Sequence, residues 1–242
     1  LAGNEIKKRS LGMMIKKTSD QQYSYAKILL MGGAGSGKTH SIGTLPEDKT
    51  IILNIVEESG LFTLRNKNYD VIDITDVNSF QEAIKFLSKP ESQSKYKFVA
   101  VDSYSQFQKS LKRKLEAQGF SGYKLWGLIQ ETTKDIVDNL KKLPYHVVFT
   151  VEIKSEKDEE SGTFVYLPSV VGSAKDDIPY WLDEVYFMSK RGKAGEQPTY
   201  HLLTNAGSKY PCKSRAGNLP VIIDNPNLLD IFKKLVEKEN KK

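Results

Sequence analysis

The stretch AKILLMGGAGSGKTHSIGTLP, residues 26–46, decides how the rest of the chain is read. Ala26–Met31 is a compact apolar run ending on glycines, the pattern of a short strand buried on both faces. The residues that follow, Gly32-Gly33-Ala34-Gly35-Ser36-Gly37-Lys38-Thr39, fit the spacing G-x-x-x-x-G-K-[ST] between a strand and a helix. Glycines let the backbone wrap closely and turn its N–H groups inward. The helix N-terminus behind them adds its dipole, so the loop suits a polyphosphate anion. In this reading the amides of residues 32–37 cradle phosphates. Lys38 bridges the β- and γ-phosphates of ATP, Thr39 offers its hydroxyl to Mg²⁺, and His40 lines the same pocket. The helix opens at Gly37 and stops before Pro46, which cannot continue it.

Outward from this stretch, strands and helices alternate. Thr50–Val56 (TIILNIV), Val71–Ile74, Phe98–Val101 (FVAV) and His146–Val151 (HVVFTV) read as strands. Phe80, Ala83, Ile84 and Leu87 share one helical face, so 78–88 is predicted to be a helix. Tyr104, Phe107, Leu111 and Leu115 predict another helix. Trp126, Ile129, Ile136, Leu140 and Leu143 predict a longer one before Pro144, its buried face opening at Trp126. Tyr123-Lys124-Leu125-Trp126 also interleaves aromatic and basic residues, and the core reading of Trp126 is preferred to a base-stacking one. Residues 152–163 read as a hairpin tip or loop and 169–179 as a second loop. Short strands follow at Glu184–Met188 and Thr199–Leu203, and Leu228–Val236 closes with an amphipathic helix. This order predicts an α/β fold with a mainly parallel central sheet flanked by helices and a β-rich C-terminal extension. The expected divisions are a basic N-terminal extension (1–24), one ATP-binding domain (25–236) and a basic tail (237–242).

Two acidic positions sit where such a sheet binds ligands, at the carboxyl ends of its strands. Asp102 ends the FVAV strand. It reads either as a holder of the Mg²⁺ hydration shell or as a cap for the next helix, and the loop at residues 32–39 favours the first. Glu57-Glu58-Ser59-Gly60 follows the second strand. A carboxylate there could orient an attacking water, or the pair could be surface acids in a turn.

Taken together, GAGSGKT, NIVEESGL (54–61), FVAVDS (98–103) and VVFTVE (147–152) resemble the RecA-like P-loop core. More closely, the chain is similar to phage-encoded single-domain RecA-like ATPases of the Sak single-strand annealing type, over roughly residues 25–220. The resemblance implies Glu58 as the water-activating glutamate and Asp102 as the Walker B aspartate, followed by Ser103. It also implies Lys213 and Arg215 as a basic pair that touches the γ-phosphate, as an arginine finger does from a neighbouring subunit. It implies a homo-oligomer in the (host) cytoplasm, acting on single-stranded DNA alongside a single-strand binding protein. The loops after VVFTVE and around Gly172 would meet that DNA, with Lys175, Lys190, Arg191 and Lys193 nearby. Two departures stand out. Residues 155–160 (SEKDEE) are acidic and repel a phosphate backbone. Glu152 replaces the glutamine that RecA-like proteins use to sense the γ-phosphate, and a carboxylate there needs a proton or a bridging cation.

The chain has 242 residues and a net charge of +6. Residues 1–20 and 233–242 contribute +3 each, so the body between them is formally neutral. Cys212 is the single cysteine, and no apolar run approaches the ~20 residues of a membrane helix. The three histidines are scattered and suggest no zinc site. The expectation is a Mg-dependent ATPase of DNA recombination. The alternatives are a small P-loop kinase and an ATP-gated DNA-binding scaffold without turnover.

Overall fold

A computed structural model describes residues 24–237, apart from 59, 160, 161, 173, 194 and 208. The expected extension 1–24 and tail 237–242 lie outside the described residues except for Ser24 and Glu237. The first half runs β1 (Lys27–Gly32), α1 (Lys38–Ile42), β2 (Thr50–Ile55), β3 (Asp70–Ile74), α2 (Val77–Leu87), α3 (Pro90–Lys95), β4 (Phe98–Asp102), α4 (Tyr104–Ala117), α5 (Gly122–Lys142) and β5 (His146–Val151). The second half runs β6 (Ile153–Lys157), β7 (Phe164–Pro168), α6 (Ala174–Trp181), β8 (Glu184–Arg191), β9 (Thr199–Leu203), β10 (Lys213–Ser214), β11 (Ile222–Asp224) and α7 (Leu228–Val236). Among the described residues no helix is long and apolar enough to cross a membrane.

The main sheet has the order β11-β9-β8-β1-β5-β4-β2-β3, with β10 also paired to β8. The strands from β8 to β3 in that order are parallel, whereas β9 and β10 run antiparallel to β8. This is the α/β fold the sequence predicts, with the β-rich tail extending the sheet. The central strand explains the apolar run: Leu29 and Met31 face one core, Ile28 and Leu30 the other, and all four are fully buried. Each such side chain contributes about 1.5–3 kcal/mol of transfer free energy. α2, α4, α5 and α6 cover the first face, while α1 and α7 cover the second.

Local chemistry sets the helix starts. Asp76 and Ser79 form a reciprocal capping box at α2, Ser79 N–H donating to Asp76 Oδ1 at 2.8 Å. Pro90 opens α3, which no periodicity announced. The stretch 169–179, expected to be a loop, contains most of α6. Asp176 and Asp177 in its first turn favour a helix start despite Pro179 inside it. Residues 155–157 of the acidic stretch lie in β6, which pairs with β7 in a separate two-stranded hairpin.

The buried face of α5 begins at Leu125, 4% exposed, and not at Trp126, which is 40% exposed. Leu125, Ile129, Ile136 and Leu140 keep the helical register, and that register turns Trp126 outward with Tyr123, 98% exposed. α4 and α5 form an antiparallel hairpin. Tyr104 donates to Thr133 O at 3.0 Å, and Lys112 stands over the Trp126 ring at 5.3 Å.

At the amino edge of the sheet His146 sits against Phe98 and Phe232, and its Nδ1 accepts from Ala26 N–H at 3.2 Å. Burial pushes its pKa from 6.5 down to about 4, helped by the Lys27 charge. The folded state therefore holds the neutral ring while the unfolded chain takes up a proton below pH 6.5, so stability falls with pH in the window from 6.5 to 4. Between pH 7 and pH 5 this one group should remove about 2 kcal/mol. Urea titrations of wild type and His146→Gln at the two pH values check this. The variant's pH-dependent loss should be smaller by that amount, and equal losses would exclude His146 as the cause.

Candidate nucleotide-binding site

The loop between β1 and α1 wraps as its glycines require. Gly37 has φ +99°, and a Cβ there would lie 2.5 Å from the Tyr200 ring. At Gly32 a Cβ would fall 2.4 Å from Ser36 Oγ and 2.7 Å from Met188 O. Lys38 Nζ donates to Gly32 O at 2.8 Å and Gly33 O at 3.0 Å, which arches the ammonium over the loop. Burial lowers its pKa, while Asp102, Glu58 and Glu152 pull it back up. His40 is exposed and stacks on Tyr200 of β9, ring centroids 5.1 Å apart.

β5 lies between β1 and β4, so their carboxyl ends converge around it. Thr39 Oγ1 donates to Asp102 Oδ2 at 2.8 Å, and Thr150 of β5 donates to Asp102 Oδ1. Asp102 is buried, and the peptide bond to Ser103 is cis. Gly60 closes over this pair. A Cβ at Gly60 would come within 3.2 Å of Asp102 Oδ2 and 3.5 Å of Thr39 Oγ1.

The two adjacent acids have different surroundings. Glu57 accepts from Ser110 Oγ at 2.7 Å and from Arg113, so α4 holds it away from the loop. Glu58 is half-buried, and burial raises its pKa. The Ser103 hydroxyl and Lys38 oppose that rise, and the Asp102 and Glu152 carboxylates add to it. Glu58 Oε2, Ser103 Oγ and Ser36 Oγ are buried with no hydrogen-bond partner among the described residues. Ser103 therefore acts on Glu58 by proximity and not through a formed bond. Glu152 follows β5 and accepts from Gln106 Nε2 at 2.9 Å and Lys109 Nζ at 2.5 Å.

Magnesium triphosphate fits this chemistry. Mg²⁺ is usually held by one or two protein oxygens plus phosphate and water, and the Thr39 hydroxyl and Asp102 carboxylate supply such a pair. Partnerless hydroxyls at Ser36 and Ser103 supply donors for anionic oxygens.

Lys213 and Arg215 are not brought to this site within the chain. β10 pairs with Val185 and Glu184 at the start of β8, whereas Gly32 of the loop pairs with Met188 further along the same strand. The basic pair therefore lies toward the amino edge, opposite the loop. Arg215 donates to Asp183 Oδ1 at 2.8 Å and to Tyr180 O, and Lys213 Nζ stands 5.8 Å from the Tyr180 ring.

Several neighbours of the site were absent from the sequence reading. Thr150 carried a signal, because a hydroxyl inside the apolar run HVVFTV must find a partner when buried. Tyr200, Met188 and Lys109 carried none, since only the tertiary fold brings them near.

A Gly-rich loop after a parallel strand, an aspartate on the next-but-one strand and an ammonium between them define a P-loop nucleotide-binding protein. A family model described as an AAA domain matches residues 24–216, most of the chain. The chain belongs to this family of P-loop ATPase domains. A comparison with curated proteins finds no match.

Gly60→Ala should lower Mg-ATP affinity by about tenfold, equivalent to about 1.4 kcal/mol, by crowding the Thr39–Asp102 pair. Titration calorimetry with a parallel thermal melt checks this. Unchanged affinity would remove Gly60 from the metal locus.

Proposed function

We propose that the chain is a Mg-dependent ATPase of DNA recombination, of the Sak-like single-strand annealing type. The observation that carries the ATPase reading is the convergence of Lys38, Thr39, Asp102 and Glu58 at one strand edge. The amides of residues 32–37 bind the phosphates and Lys38 neutralises the β- and γ-oxygens. Thr39 and Asp102 hold Mg²⁺, which when bound supplies charge neutralisation on the phosphates. Glu58 orients a water and receives its proton. The water oxygen bonds to the γ-phosphorus, the bond to the bridging oxygen breaks, and ADP leaves. Burial raises the Glu58 pKa toward the range a base needs. His40 and Ser103 line the pocket.

The DNA part of the reading is supported by the α4–α5 hairpin. Lys109 and Arg113 are paired with Glu152 and Glu57, and Lys112, Lys114 and Lys124 against Glu116 leave residues 109–126 a formal +2 beyond those pairs. Tyr123 and Trp126 are exposed on the same helix, and Lys112 stands over Trp126. Gly172, whose loop the family resemblance assigns to DNA, lies against the Trp126 ring, a Cβ there being 3.6 Å away. Cations and stacking rings are what a single strand requires. Lys213 and Arg215 would act on a neighbour's γ-phosphate in a head-to-tail homo-oligomer, which would place one subunit's amino edge over the next one's carboxyl edge. A single-strand binding protein would be a working partner on the same DNA.

Steady-state turnover tests the catalytic assignment. Glu58→Gln should lower kcat by about a hundredfold with KM for ATP little changed. Lys38→Ala should abolish turnover. Normal turnover in Lys38→Ala would overturn the site.

Fluorescence anisotropy on an oligo(dT) strand tests the DNA assignment. Tyr123→Ala and Trp126→Ala should each weaken binding by about tenfold, and wild-type affinity should fall steeply with salt. Absence of DNA binding at every salt and nucleotide condition would leave the ATPase alone standing.

A further inference from the structure

Glu152 stands at a place where a bare carboxylate is unfavourable. It follows β5, the strand between β1, which carries the phosphate loop, and β4, which carries Asp102. Thr150, two residues earlier in the chain, already bonds Asp102. The Glu152 charge is felt by both Lys38 and Glu58. With Glu58 and Asp102 it makes a third acid around one ammonium, and a terminal phosphate brought there adds anionic oxygens. In a partly dehydrated site such like charges repel more strongly than they would in water.

Among the described residues, the hydrogen bonds and the ion pair that compensate the Glu152 side chain come from α4. Lys109 Nζ lies 2.5 Å from Glu152 Oε2, Gln106 Nε2 donates to Oε1 at 2.9 Å, and Ser105 Oγ accepts from the Glu152 backbone N–H at 2.8 Å. These three residues occupy the opening turns of the helix. Lys109 has no other ion pair among the described residues.

We propose that Lys109 is a γ-phosphate-responsive positioning residue. It compensates Glu152 beside the terminal phosphate and thereby sets the preference for ATP over ADP. The inference rests on the reading of residues 32–39 as an ATP site. ADP lacks the group that would meet Glu152, so losing Lys109 penalises the triphosphate selectively. Removing the Glu152 charge should cancel that penalty.

Titration calorimetry with Mg-ATPγS and Mg-ADP on wild type, Lys109→Met, Lys109→Arg and Lys109→Met/Glu152→Gln tests this. Lys109→Met should bind ATPγS about tenfold more weakly and ADP within about twofold of wild type. Lys109→Arg, which keeps the charge, should stay close to wild type. The double variant should recover ATPγS affinity to within about threefold. Nucleotide-free melting temperatures of all variants report any loss of fold separately. Equal weakening toward both nucleotides, or no recovery in the double variant, would overturn the inference while leaving the site reading intact. Failure of the wild type to bind either nucleotide would overturn both.

Discussion

Asp102 accepts from Thr39 on one side and Thr150 on the other, and this bridge ties the ends of three adjacent strands into one site. Each hydroxyl is offered by a different element, so the carboxylate fixes the helix after β1 relative to β4 and β5. Being buried, the carboxylate would be costly without those donors. The parallel order of β1, β5 and β4 makes the bridge possible, since it brings three carboxyl ends to the same edge. Gly60 then closes over it so tightly that even a methyl group would crowd the carboxylate.

Around that bridge the site is electrostatically incomplete by itself. Lys38 faces Asp102, Glu58 and Glu152, an excess of acid in a partly buried place. Such an excess suits a divalent cation better than a bare polyphosphate, and it adds to the upward push that burial exerts on Glu58. Glu57 is drawn off by α4 through Ser110 and Arg113, and Glu152 is paired in place by Gln106 and Lys109 of the same helix. Glu58 is therefore left facing the pocket because its neighbour in sequence is held elsewhere. The helix that crosses the sheet edge is thus part of the site's charge balance as well as its wall.

Much of this was legible in the sequence because it rests on local pattern. The run Ala26–Thr39 announces strand, loop and helix together, and the apolar strands before Glu57 and Asp102 place those acids at the ligand edge. What the sequence hid depends on tertiary contacts. Trp126 looked like core because it shares helical spacing with Ile129, yet Leu125 holds the register and Trp126 faces out. Lys213 and Arg215 look available to the phosphate until the two-residue strand β10 fixes them beside the wrong end of β8. The acids of 169–179 marked a helix start that Pro179 disguised. Glu152 looked like a misplaced charge, and its cation is Lys109, 43 positions away in the chain.

The separation of the phosphate loop from Lys213 and Arg215 along the length of the strands, from one edge of the sheet to the other, has a consequence for how activity would scale. If that pair completes a neighbour's pocket, a head-to-tail pair of subunits would leave one contact unmade, and the terminal protomer of any open row would keep an unfinished pocket. Specific activity would then climb with protein concentration, and any DNA scaffold that lengthens the row would stimulate turnover without touching a nucleotide.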